Sequence, residues 1–118
     1  MRPTVTAMTK RFLAVLLLLA APLAHADRIT DMTREDRCIY VARLEMLAHQ
    51  FFDQGKPRED VVIHWHGDET ENEIAFVNRT VDNAYAWLEA WKQSSNEMLP
   101  AQAFGEMVLQ ACMEGKRL

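Results

Sequence analysis

His64-Trp65-His66, followed by Asp68, Glu69, Glu71 and Glu73, is the only ligand-like cluster in this chain of 118 residues. Imidazole and carboxylate groups are ligands for zinc and copper. Spacing decides whether these could act together. Two residues apart on a helix, side chains point about 200° apart, whereas on a strand they share a face. A metal site built on His64, His66 and Asp68 therefore requires an extended segment. No third neutral or thiolate ligand stands nearby to complete it. Without a metal, the carboxylates favour the N-terminus of a following helix, and the histidines sit in an exposed connection.

Cys38 and Cys112 are the only cysteines. An even count in an exported chain points to a disulfide, and two cysteines allow one intramolecular pairing. Closing so long a loop contributes about 4 kcal/mol in the chain-entropy model. Other reactive types form no constellation. Ser94 and Ser95 are adjacent, in an expected loop without a strained turn. His49 lies on the border of an apolar helix face, where a solvent partner is expected. Met32, Met46, Met98, Met107 and Met113 are scattered, which suits gap-filling better than copper binding. The expectation is a protein that is not an enzyme and carries no cofactor.

Compartment is read from the first 26 residues. Arg2, Lys10 and Arg11 precede an apolar run from Phe12 to Ala21, then Pro22 and Ala24-His25-Ala26. That order is the signature of a cleaved secretory signal, with Met8 as an alternative start. The run is short for a membrane span, which needs about 20 residues, so no stable anchor is expected after cleavage. The mature domain is expected over residues 27–118. The signal holds three of the 13 basic residues and none of the 17 acidic ones. Residues 27–118 therefore carry 10 basic against 17 acidic side chains, a formal charge of −7. Such a surface disfavours nucleic acid and anionic membrane. A periplasmic or secreted location follows from the signal.

The elements that must position these residues read as helices. Thr33 suits an N-cap, with Glu35 and Asp36 in the first turn. Cys38, Val41, Leu44, Ala48, Phe51 and Phe52 then recur at helical spacing, and Gly55 suits the stop. Pro57 opens a short second helix through Val61-Val62-Ile63-His64-Trp65-His66. The β-branched run also suits a strand, but no second strand is visible to pair with it. Thr70 and Glu73 have capping-box spacing. Ile74, Val77, Val81, Ala84, Tyr85, Leu88 and Trp91 form one stripe behind them. Pro100 opens a last helix with Phe104, Met107, Val108, Ala111 and Cys112 inward, and Gly115 ends it. The expected fold is all-α: a small disulfide-stapled bundle of about four helices, three long and one short. The first and last long helices run antiparallel to bring the cysteines together.

Phe76 and Trp87 are eleven residues apart and share a helix side, displaced about 100° from the main stripe. They read either as a wide buried face under the short second helix or as a docking surface, to which Trp65 could belong. The order of signal, helix with Cys38, Gly-Lys-Pro-Arg-Glu-Asp at 55–60, Pro-Ala-Gln-Ala-Phe at 100–104 and late Cys112 resembles small bacterial periplasmic helical proteins. That resemblance implies compartment and fold. A more distant likeness is to acid-stress chaperones of the HdeA type, which also combine a signal, a helical domain and one disulfide; here the cysteines lie much further apart. The leading expectation is a non-enzymatic interaction protein, meeting another envelope protein or a second copy of itself. An acid-activated holdase and a metal binder are the alternatives.

Overall fold

The computed structural model describes residues 27–116. Residues 1–26, where the signal segment and its two alternative starts are expected, and Arg117 lie outside the described residues. Asp27 begins the described chain as an N-cap: its Oδ1 accepts from the N–H of Ile29 and of Thr30, at 2.9 and 3.3 Å. This opens a one-turn helix, α1 (Arg28–Asp31). Thr33 then caps α2 (Arg34–Asp53) by accepting from the Asp36 N–H at 3.1 Å. A single 3₁₀ turn follows at Arg58–Asp60. Thr70 and Glu73 form the capping box of α3 (Glu71–Ser94), and Pro100 leads into α4 (Ala101–Met113). Over the described residues the fold is an all-α bundle of three long helices and one short one.

The short helix is not where the sequence placed it. Val61 to His66 form no helix, with Val61 itself in extended backbone, and α1 supplies the short element instead. Val61, Val62 and Ile63 are stiff at χ1 and prefer extended backbone. The 3₁₀ turn precedes them, and Gly67 ends the run at φ +107°, a conformation glycine adopts without strain. The segment needs no sheet, because Val61 and Ile63 pack into the helical core.

α2 is the centre of the bundle and packs against both α3 and α4. Cys38, Val41, Ala42, Glu45, Ala48, His49 and Phe52 form its buried stripe. Phe104, Val108 and Cys112 of α4 are essentially inaccessible, as are Ala84 and Leu88 of α3. Gly105 allows the close approach of α4, since a Cβ there would run into the Met46 side chain. Cys38 and Cys112 are bonded, with S–S 2.05 Å and Cα–Cα 5.5 Å, so α2 and α4 are antiparallel and stapled across 74 positions. Gly55 and Gly115 end α2 and α4 in the same way. Each has φ near +80°, donates to the carbonyl three residues back, and is followed by a residue donating five back. This is the Schellman closure, which glycine makes possible.

Candidate functional site

A second apolar stripe runs along α2. Tyr40, Leu44, Leu47 and Phe51 recur at intervals of three and four, so they share one side. Leu47 is 49 % exposed and the others are half-buried. Residues 61–66 lie beside this stripe, leaving a groove with α3 at its floor. One end is a hollow of about 300 Å³ lined by Leu47, Phe51, Val62, Val77 and Val81. The other is a hollow of about 390 Å³ lined by Met32, Tyr40, Trp65, His66, Glu69 and Val77. Leu44, Ile63 and His64 border both.

The segment alternates as a strand does. Val61 is buried and Ile63 half-buried, while Val62 is 70 % exposed and His64 is exposed. No backbone group of Val62, Ile63, His64 or Trp65 bonds to another described residue. Backbone amides and carbonyls need partners, so water or another chain must provide them here.

Both ends of the segment are anchored. Arg58 Nε donates to Asp82 Oδ1 at 2.6 Å, and Arg58 Nη2 donates to Asn78 at 3.1 Å, which pins the 3₁₀ turn to α3. At the far end the Glu69 carboxylate accepts from the His66 and Gly67 N–H groups at 2.7 and 2.8 Å. Those backbone bonds, the His66 one first, hold Glu69 below the usual carboxylate range.

An ion-pair clasp closes one wall. Glu73 Oε2 accepts from the Arg28 backbone N–H at 2.8 Å and from Arg28 Nε at 2.9 Å. Glu73 Oε1 accepts from the Thr70 N–H at 2.8 Å. Arg28 Nη2 also reaches Asp68 at 3.1 Å. The Arg28 side chain, then the Thr70 backbone, lower the Glu73 pKa to about 2. Asn72 adds a bond to the Asp27 side chain, so α1 is tied to the first turn of α3 by two carboxylates.

The residues singled out in the sequence separate into distinct places. Phe76 is 5 % exposed and stacks on Tyr40 at 6.1 Å between ring centroids. Trp87 is half-buried, 5.2 Å from the Phe104 ring and 5.3 Å from the Trp91 ring. The Phe76 part of the expected docking strip is corrected: Tyr40 of α2 stacks on it and it is core, whereas Trp87 packs on Phe104 of α4 and stays half-buried. The helix expected through residues 61–66 does not form to cover the strip. Trp65, 39 % exposed, is the member of the set that faces the groove. His64 and His66 are exposed and lie outside any helix, and Asp68 is engaged by Arg28. Among the described residues no three His, Cys, Asp or Glu side chains converge as metal ligands do. His49 is buried rather than solvated, and its Nε2 lies 2.5 Å from the Leu99 carbonyl, so Nε2 carries the proton and donates. Sequence patterning missed Glu45, a buried carboxylate on the α2 stripe, because its type predicts exposure. It also missed Leu47, whose i+3/i+4 relation to Leu44 and Phe51 was the available signal.

Among the described residues no helix is long and apolar enough to cross a membrane. Comparison with protein-family models, with curated proteins and with solved structures finds no match for this chain.

Proposed function

We propose that this chain is a non-enzymatic interaction protein of an oxidising compartment, periplasmic or secreted, which holds a partner in the groove between α2 and residues 61–66. The observation that carries this reading is the exposed apolar wall of Leu47, Val62 and Trp65 beside a row of unpaired backbone groups. Interfaces draw their affinity from such apolar and aromatic anchors. The disulfide supports the compartment, since such bonds persist where the environment is oxidising. The test is capture from an envelope extract by wild type and by a Leu47→Asp/Val62→Asp variant. Both positions are exposed, so the variant folds with an unchanged circular dichroism spectrum and loses the captured partner. Equal capture by both forms would rule the groove out.

A second reading, an acid-activated holdase, is favoured by the Arg28–Glu73–Asp68 clasp. Protonating Glu73 removes the acceptor that holds α1, and α1 buries Ile29 against the core. Its release would uncover apolar surface at low pH. Suppression of client aggregation at about pH 2, near the lowered Glu73 pKa, is the expected result. No suppression there removes this reading.

A further inference from the structure

We infer that the partner enters the groove as an extended polypeptide, adding a strand to residues 62–65, and that its apolar stretch is flanked by Lys or Arg. This rests on the groove being the interaction site. Three features of the chain point to the occupant.

The first is the backbone. Four consecutive residues, Val62 to Trp65, lie outside any helix, follow Val61 in extended backbone, and have no backbone donor or acceptor bonded to another described residue. An exposed strand edge is a template for an added strand. A helix lying in the groove would leave those groups unpaired; a strand would satisfy alternate ones. Arg58 and Glu69 fix both ends, so little ordering is required on binding.

The second is the α2 wall that faces that segment. Leu44, Leu47 and Phe51 form an apolar stripe, and the hollow they share with Val62 is lined almost wholly by apolar side chains. An added strand turns every second side chain to one face. Apolar residues at alternate positions would fill this stripe, and the others would face water.

The third is charge. Glu59 and Asp60 precede the edge, and Asp68, Glu69 and Glu71 follow it, with Arg58 the one cation between 58 and 71. Arg58 is already paired with Asp82, while Glu59, Asp60 and Glu71 have no ion pair among the described residues. This pattern disfavours a second copy in either orientation. An antiparallel copy centred on Ile63 and His64 would set Glu59 against Asp68, and a parallel copy would set Glu59 and Asp60 against themselves. Like charges opposed across a strand pair are destabilising. A basic-flanked segment meets carboxylates at both ends.

The experiment uses the oxidised protein and two short synthetic peptides with the same alternating Val/Thr core, one flanked by Lys pairs and one by Glu pairs. Binding is followed by amide chemical shifts and hydrogen exchange at Val62–Trp65. The Lys-flanked peptide binds about tenfold more tightly than the Glu-flanked one, and the preference narrows as salt rises. Alternate amides of residues 62–65 become protected. N-methylation along one edge of the peptide abolishes binding, while N-methylation along the other edge does not. A Glu59→Lys/Asp60→Lys variant weakens or reverses the preference for Lys flanks. Binding that perturbs Leu47 and Phe51 without protecting these amides would overturn strand addition while leaving the groove as a site. Equal affinity for both peptides would overturn the charge assignment. Amide protection that grows with protein concentration, without peptide, would make a second copy the occupant. If neither peptide binds, strand addition is overturned, and the Leu47→Asp/Val62→Asp capture result then decides separately whether the groove is a site.

Discussion

Glu73 joins three parts of the molecule. It completes the α3 capping box, receives the Arg28 backbone, and pairs with the Arg28 guanidinium. Its pKa falls from an ordinary 4.5 to about 2. A lowered folded-state pKa means stabilisation that is complete above pH 4.5 and lost as pH falls through about 2. Glu73→Gln should therefore lower the melting temperature at pH 7 and match wild type near pH 2. Thermal unfolding across that range is the check, and parallel curves for the two proteins would contradict it. Thr70→Ala removes the reciprocal cap and should cost about 1 kcal/mol in urea unfolding. Cap residues are legible in a sequence because Thr70 and Glu73 act across three positions. The Arg28 contact is not, because it spans 45 positions.

At the scale of elements, the two glycine closures set where α2 and α4 end. Gly55 and Gly115 lie in the left-handed region, where a Cβ costs about 1–2 kcal/mol. Gly55→Ala should destabilise by about that amount and leave the groove intact, since nothing lies within 4 Å of the added Cβ. Urea titration, with unchanged amide chemical shifts at Val62–Trp65, would show both. Residues 61–66, read as helix from the sequence, lie outside any helix. Their β-branched run was visible, yet the missing partner strand argued for a helix. Side-chain burial of Val61 and Ile63 against helices replaced strand pairing as the stabilising interaction.

The whole molecule depends on the staple. The Cys38–Cys112 bond joins the start of α2 to the end of α4 and so spans nearly the entire described chain. Reduction, or Cys38→Ser/Cys112→Ser, should cost about 4 kcal/mol, read as a lower midpoint in urea with partial retention of helix signal. For a domain this small that is a large share of a total near 5–15 kcal/mol. Little or no change in midpoint would mean that helix packing alone carries the fold.

Local rules in the sequence determined the helix caps, the glycine stops, the long helices, the all-α class and the cysteine pairing, because each depends on neighbouring residues or on simple elimination. Tertiary structure decided the rest. Which face of α3 is covered depends on where α2 and α4 lie, and so Phe76 became core. Whether residues 61–66 coil or extend depends on the surface they cross. The groove exists only because α2, α3 and that segment meet, and periodicity within one segment cannot register a surface made by three.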